Sequence, residues 1–115
     1  YGVVVAKKIE DNIYKAIRIE EKPAIPSSNL ANTSTYIFPP EIFDAIKETK
    51  MSPRGEIEIT DSIQKLIDKG IEFYIYESKA TWIDAGTWDT YLKAIYHSLK
   101  FSLGIQYSRM FFKES

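Results

Sequence analysis

Cysteine is absent from the chain, so disulfide bonds and thiolate metal sites are excluded, while the redox compartment stays open. Long apolar runs are absent too: none approaches the roughly 20 residues of a membrane-spanning helix, and the first residues lack the charged and then apolar order of a signal peptide. An excess of charge is also missing, since 15 Lys and Arg oppose 16 Asp and Glu. We therefore expect a cytoplasmic protein whose partners are neither nucleic acid nor membrane.

The chain contains enough apolar residues for one hydrophobic core. Its 115 residues are 44% hydrophobic and 14% aromatic, which suffices for a single domain over residues 1–115 and is too little for two ordinary ones. The sequence opens on Tyr1-Gly2-Val3-Val4-Val5, which is already strand-like and has no initiator Met. We expect the natural N-terminus to lie upstream.

Apolar residues at strand and helix spacing predict an α/β protein. Segments on either side of Glu10-Asp11-Asn12 predict a hairpin of Val3–Lys7 with Ile13–Glu20, and prolines and serines then predict a loop. The later elements expected are a strand over Leu30–Phe38, a helix from Glu41 to Ile46, a helix over Asp61–Lys69 with Thr60 as N-cap and Gly70 at its end, a strand over Ile71–Tyr76, a short strand over Thr81–Ile83, and a helix from Trp88 towards Lys100 with Thr87 as N-cap.

Charge and glycine are concentrated in three places where apolar segments end, at Glu21-Lys22-Pro23, Arg54–Asp61 and Trp82–Thr87. Strand ends are where α/β proteins place the groups that meet a ligand. In the first place the proline fixes the next φ and stiffens the turn, so the lysine presents its ammonium at a defined position. By itself, a Lys beside a Glu is more often a solvated pair.

The second place combines a cation, a glycine and two carboxylates. Arg54 can grip phosphate oxygens through two parallel hydrogen bonds, and Gly55 lets the backbone approach a ligand. Glu56 and Glu58 fall on the same side if the segment is extended, and a carboxylate is a common acceptor for the hydrogen bonds of adjacent sugar hydroxyls. A half-exposed strand has the same alternation, and that alternative stays open.

The third place offers a metal ligand. Asp84 follows an apolar residue and precedes a turn and a helix, a position suited to holding Mg²⁺ through oxygen. The alternative is that Asp84 only caps the turn, and no second metal carboxylate is evident nearby. Asn32 and Tyr36 are expected to flank a sugar pocket beside these carboxylates. Gly2 can bring a backbone amide close to a ligand.

Taken together, the chain resembles the glucose-1-phosphate thymidylyltransferases and uridylyltransferases from its start to about Ala94. The strings that carry the resemblance are Tyr1-Gly2-Val3-Val4, Glu21-Lys22-Pro23, Ser28-Asn29-Leu30-Ala31-Asn32, Tyr36-Ile37-Phe38, Pro40-Glu41-Ile42-Phe43-Asp44, Arg54–Asp61 and Trp82–Thr87. The resemblance implies the C-terminal part of a Rossmann-like sandwich, with a mixed sheet and flanking helices. Residues 1–94 would be its sugar-phosphate-binding part, and residues 95–115 a C-terminal helical segment.

The resemblance also implies a reaction, in which a nucleoside triphosphate and a sugar 1-phosphate give a nucleotide sugar and pyrophosphate. Lys22 and Arg54 would hold the sugar's phosphate. Glu21 and Glu56 would accept hydrogen bonds from its hydroxyls. Asp84 would be one of two aspartates that bind Mg²⁺. The remaining pocket wall would come from Gly2, Asn32 and Tyr36.

Two family features are missing: the glycine-rich nucleotide loop and the strand that bears the other metal aspartate. We therefore expect the C-terminal half of an enzyme, inactive alone, whose partners are the missing N-terminal half of the same chain and further copies of itself. Ser34 stands where many members have glycine. Glucose 1-phosphate is the favoured sugar, and uridine and thymidine stay open. The alternative is a non-catalytic binding or oligomerisation module, suggested by the apolar surplus of residues 101–112.

Overall fold

The computed structural model describes residues 1–103 and divides the chain into two compact units, Tyr1–Lys79 and Ala80–Ser115. In chain order the elements are β1 (Gly2–Glu10), β2 (Ile13–Glu21), β3 (Leu30–Ala31), α1 (Ile42–Glu48), α2 (Ile59–Asp68), β4 (Tyr74–Tyr76) and α3 (Trp88–Leu103). The predicted α/β class is confirmed. The division of the chain near residue 94 stays a prediction, and most of the apolar stretch at 101–112 lies outside the described residues. No helix within residues 1–103 is both long and apolar enough to cross a membrane.

The sheet has the order β3-β1-β2-β4, and each described pair of strands is antiparallel. Its centre is the predicted hairpin, closed by a turn in which Asn12 has a φ of +62°, a conformation that Asn adopts more readily than most residues. In the register of this hairpin Gly2 lies opposite Glu21, and Val4 lies opposite Ile19. Residues directly opposite each other project from the same face of a sheet, and so do residues two apart in one strand. The positions of Gly2, Glu21, Val4 and Ile19 therefore share one face.

The core lies on that face, between the hairpin and two helices. Ile42 and Ala45 of α1 are buried against Ile63 and Leu66 of α2, and Ile19 of β2 packs against this cluster. The spacing of three between each pair of core residues places them on one side of their helix. Because α2 packs along β2, its first turn comes to lie beside the end of β2, where Glu21 is located.

The end of α2 is as predicted, and its start is not. Gly70 has a φ of +88°; its N–H donates to the carbonyl of Ile67, and the next N–H, of Ile71, donates to the carbonyl of Leu66. This pair of bonds is the Schellman arrangement, which favours glycine at that position. Thr60 as N-cap was wrong. The helix begins at Ile59 without a side-chain cap, and the hydroxyl of Thr60 bonds elsewhere.

Three other predicted elements differ. The strand over Leu30–Phe38 ends at Ala31, because Asn32 Oδ1 accepts the N–H of Ser34, and Ser34 has a φ of +59°, which turns the chain out of the sheet. The strand over Ile71–Tyr76 is only Tyr74–Tyr76, and residues 81–83 form no strand.

The predicted cap of α3 is confirmed, because Thr87 Oγ1 accepts the N–H of Thr90 at 3.2 Å.

Candidate functional site

A gap beside Gly2 forms the centre of the candidate site. A Cβ placed on Gly2 would lie 3.2 Å from Thr60 Cγ2, 3.4 Å from Asn32 Nδ2 and 3.4 Å from Glu21 Oε2. These three side chains come from α2, from the segment after β3 and from β2. Glycine is therefore the residue that lets three separate elements converge on the end of β1.

The carboxylate of Glu21 is held from two sides. Thr60 Oγ1 donates a hydrogen bond to Oε2 at 3.0 Å, and Arg54 Nη1 lies 3.7 Å from Oε1. An ionised carboxylate offers about four lone-pair positions, so these contacts leave acceptor capacity for a ligand. Glu21 is therefore a fixed acceptor at the end of β2.

Arg54 lies among three carboxylates. Its guanidinium is 3.3 Å from Glu58 Oε1, 3.6 Å from Glu56 Oε2 and 3.7 Å from Glu21 Oε1. Charge-assisted hydrogen bonds of optimal geometry are shorter, at about 2.7–2.9 Å. The side chain is 41% exposed, so its five N–H donors are not all occupied by these partners. Arg54 and the three carboxylates together carry a formal charge of −2, which favours a ligand that donates hydrogen bonds, such as one with several hydroxyl groups.

A tight turn presents the guanidinium. The N–H of Gly55 donates to the carbonyl of Ser52 at 2.9 Å, and Ser52 Oγ accepts the N–H of Arg54 at 3.2 Å. Gly55 has a φ of +77°, a conformation that costs other residues free energy. The turn itself therefore favours glycine here, and the predicted approach of a ligand to this backbone stays a prediction. The turn closes when the N–H of Ser52 donates to the carbonyl of Glu56.

Asn32 and Tyr36 form the neighbouring wall. The N–H of Asn32 donates to the carbonyl of Gly2 at 2.8 Å, and its side-chain amide donates to the hydroxyl of Tyr36. The ring of Tyr36 stacks on Phe38 with 4.8 Å between centroids, and Phe38 packs against the core. Six of the predicted site residues are therefore linked by contacts: Gly2, Glu21, Asn32, Tyr36, Arg54 and Glu56.

Lys22 does not contact this group. It has a φ of +41° and lines an open concavity of about 400 Å³ together with Tyr1, Val3, Pro23, Pro26, Ser28, Asn29 and Ala31. Val3 is next to Gly2 in β1, and successive strand residues project from opposite faces. The concavity therefore opens on the sheet face opposite the gap beside Gly2.

Asp84 belongs to the second unit, where a Cβ on Gly86 would lie 3.2 Å from its Oδ1. Within residues 1–103, no group of three or more His, Cys, Asp or Glu side chains is arranged to hold a metal. Mg²⁺ is commonly bound by one or two protein carboxylates together with waters and substrate phosphates. Asp84 fits that donor chemistry as one ligand, and the other oxygens would have to come from elsewhere.

Two participants were not assigned to the site from the sequence. Glu58 was noted only for sharing a side with Glu56, although its position four residues after Arg54 is a usable signal for a contact. Thr60 was assigned to helix capping, and it contacts Glu21 instead. The sequence carries no signal for the contact between Thr60 and Glu21, because these residues are 39 positions apart in the chain.

The first unit thus has an α/β fold, in which an antiparallel sheet is covered by helices. Polar and charged side chains gather at one strand end and form a candidate ligand site. The sequence profile of the Nucleotidyl transferase family matches residues 1–100, so the chain belongs to this family. The resemblance inferred from the sequence is thereby confirmed.

Two relatives illustrate the similarity in sequence. The chain is similar to the bifunctional protein GlmU of Methanocaldococcus jannaschii, with 45% identity over 94 residues that cover 77% of this chain and 21% of that protein. It is 39% identical over 85 residues to a glucose-1-phosphate thymidylyltransferase of Streptomyces antibioticus, covering 74% of this chain and 23% of that one.

A solved structure of UDP-glucose pyrophosphorylase complexed with UDP-glucose superposes with a TM-score of 0.78 at 32% identity, covering 88% of this chain and 39% of that one. The chain thus spans between about a fifth and two fifths of the length of these proteins.

Proposed function

We propose that this chain is the sugar-phosphate-binding part of a sugar-1-phosphate nucleotidylyltransferase. The parent enzyme would condense UTP or dTTP with glucose 1-phosphate to give nucleotide-glucose and pyrophosphate. The observation that supports this best is the fixed carboxylate of Glu21 beside the gap at Gly2, with Arg54 on its other side. The names of the relatives favour the same reaction class and both bases.

The carboxylates would recognise the sugar. Glu21 and Glu56 present oxygens beside Arg54, and carboxylate oxygens accept hydrogen bonds from neutral hydroxyls without adding another charge. Asn32 and Tyr36 are bonded to each other at the same gap, so they add a polar wall with restricted rotation. A hexose ring carries several hydroxyl donors, which suits this set of acceptors.

Cations would hold the phosphate. Arg54 contacts its carboxylates at 3.3–3.7 Å, distances long enough that a phosphate can compete for its donors. Lys22 would supply a second positive charge, and because it lines the concavity on the opposite sheet face, its side chain would have to reach the phosphate around the end of β2. In phosphoryl transfer the protein acts mainly by aligning the reactants and offsetting their charge, so positioned cations are the expected machinery.

Asp84 would supply one carboxylate ligand to Mg²⁺. When bound, Mg²⁺ would offset the negative charge on the oxygens of the transferred phosphoryl group. The task of Asp84 would be to present a carboxylate oxygen in the segment that precedes α3. A chain that lacks the other ligands is expected to be inactive by itself.

The test is synthesis of nucleotide sugar from glucose 1-phosphate, UTP or dTTP and Mg²⁺, comparing this chain with one extended upstream of Tyr1. Activity only in the extended chain, and its loss in Lys22→Ala, Arg54→Ala and Asp84→Ala variants, supports the proposal. Arg18→Ala serves as the matched control and should retain activity, because Arg18 projects from the sheet face opposite to that of Glu21 and pairs with Glu20. Inactivity of the extended chain with both nucleotides would contradict it.

A second candidate is the assembly module without catalysis. Its support is the exposed aromatic surface of α3, where Trp88 is 83% and Phe101 is 88% exposed. Such residues are often covered by another subunit. Light scattering across a dilution series measures self-association directly, and a monomer at every concentration would remove both this candidate and the expected homo-oligomer.

A further inference from the structure

We propose that Thr60 is a positioning residue that orients the carboxylate of Glu21 towards the hydroxyls of the sugar; this inference rests on the proposed function. Thr60 is 2% exposed, and its hydroxyl donates to Glu21 Oε2 at 3.0 Å. A buried hydroxyl has one proton to donate, and here the proton goes to a carboxylate of the candidate site.

The hydroxyl does not serve α2 as a cap. Thr60 is the second residue of the helix, whose start has no side-chain cap, and its bond runs across to β2. A threonine hydroxyl near a helix start often bonds to the backbone of its own helix, so a bond to another element has a different consequence. It ties the orientation of Glu21 to the position of α2.

The methyl group of Thr60 fixes the direction of the hydroxyl. Thr60 Cγ2 would lie 3.2 Å from a Cβ on Gly2, so this methyl faces the backbone of Gly2. A β-branched side chain in a helix has few allowed χ1 values. With the methyl against Gly2, the hydroxyl is directed at Glu21. The close approach at Gly2 and the bond to Glu21 therefore share one side-chain conformation.

Loss of the hydroxyl would change what Glu21 presents. Oε1 faces Arg54 at 3.7 Å, a distance that would shorten if Oε2 were released by Thr60. The carboxylate would then turn towards the guanidinium, and ligand hydroxyls would lose a fixed acceptor. A site built around such an acceptor discriminates strongly between ligands that carry the donor and ligands that lack it.

The experiment uses the extended parent chain and compares Thr60→Val with Thr60→Ser. Val keeps the branched shape and removes the donor, whereas Ser keeps the donor and removes the methyl. A hydrogen bond to a charged group is strong enough that Thr60→Val should raise the KM for glucose 1-phosphate by about tenfold. The KM for the nucleotide and kcat should change by less than about threefold, and Thr60→Ser should stay nearer to wild type than Thr60→Val.

A second readout separates positioning from folding. Deoxy analogues of glucose 1-phosphate each lack one hydroxyl, and the analogue that lacks the hydroxyl bound by Glu21 should be penalised in wild type and much less in Thr60→Val. The same loss of discrimination is expected in Glu21→Gln. Should Thr60→Val melt at a much lower temperature, Thr60→Ala and Thr60→Ser provide the comparison of hydroxyl loss with hydroxyl retention.

An unchanged KM for glucose 1-phosphate in folded Thr60→Val overturns the inference, and so does an equal rise in Thr60→Val and Thr60→Ser, which would assign the effect to packing. Retained discrimination among the deoxy analogues has the same meaning. These outcomes differ from failure of the proposed function, in which wild-type extended chain itself does not turn over glucose 1-phosphate.

Discussion

Gly2 and Glu21 lie directly opposite each other in the β1–β2 hairpin, so that a Cβ on Gly2 would be 3.4 Å from the Glu21 carboxylate. This spacing predicts the effect of adding one methyl group. Gly2→Ala should push Thr60, Asn32 or Glu21 aside by a few tenths of an ångström. In the extended chain we expect a higher KM for glucose 1-phosphate and a loss of about 1–3 kcal/mol in the free energy of unfolding, as is typical of overpacking.

Gly86→Ala is the matched control for that variant. A Cβ there would lie 3.2 Å from Asp84 Oδ1, a comparable approach to a different carboxylate. Its expected effect is a greater Mg²⁺ requirement with an unchanged KM for the sugar phosphate. If the two alanine variants gave the same kinetic change, separate roles for Glu21 and Asp84 would be untenable.

Arg54→Lys is predicted to be a severe change although the charge is kept. The guanidinium reaches Glu21, Glu56 and Glu58 through two terminal nitrogens, whereas an ammonium is a single point charge. We expect the KM for glucose 1-phosphate to rise by about tenfold or more, because the fork that contacts the carboxylates, and that is proposed to bind the phosphate, is lost. Steady-state kinetics of the extended chain measure this. Arg18→Lys should leave the KM unchanged, because Arg18 pairs with Glu20 and not with the carboxylates around Arg54.

Much of the framework could be predicted because its signals are local. The hairpin follows from alternation on either side of a turn, and the end of α2 follows from Gly70 after an apolar stripe. The segment Tyr36–Phe38 was misjudged because its apolar residues look strand-like. In the structure two of its rings pack against the core while Ile37 is 98% exposed and unpaired with any strand.

The site was predictable in part. The alternation of Glu56 and Glu58 indicated a shared side, and both do contact Arg54. The bond from Thr60 to Glu21 could not be predicted, because threonine at a helix start has a high preference for capping. Only the packing of α2 along β2 brings the two side chains together.

The pair Lys15–Glu72 predicts a specific pH dependence of stability. The hydrogen bond from Lys15, followed by the one from Tyr74, lowers the pKa of Glu72 below its ordinary value of 4.5. A lowered carboxyl pKa contributes stability that is present above the unfolded-state pKa and is lost as pH falls through the folded-state pKa. Bonding to Glu72 also raises the pKa of Lys15 above 10.5, so its contribution persists at neutral pH and is lost only as pH rises through that raised pKa.

Glu72→Gln should therefore lower the free energy of unfolding slightly at pH 7 and have a smaller effect at an acidic pH below the lowered pKa of Glu72, where the wild-type carboxyl is neutral too. Both side chains are about half exposed, so the effect is expected to be small. Denaturant unfolding at the two pH values measures it. In a Lys15→Met background the Glu72→Gln effect should lose most of its pH dependence, and its persistence would show that another group is responsible.

The last prediction concerns a buried pair of hydroxyls that joins α2 to the end of α1. Thr49 Oγ1 donates to the carbonyl of Ala45 at 2.6 Å and lies 2.8 Å from Ser62 Oγ. Since the single proton of Thr49 is used on Ala45, the proton between the two hydroxyls must come from Ser62. Removing Thr49 leaves a buried donor without its acceptor, whereas removing Ser62 leaves Thr49 with its donated bond intact.

We therefore expect Thr49→Val to lower the free energy of unfolding by about 1–3 kcal/mol and Ser62→Ala to lower it by less. The double variant should lose less than the sum of the two, because neither hydroxyl then lacks a partner. Urea unfolding of the four proteins gives the coupling free energy. Equal single effects that add would mean that the hydroxyls do not depend on each other, and the assigned direction of the hydrogen bond would be wrong.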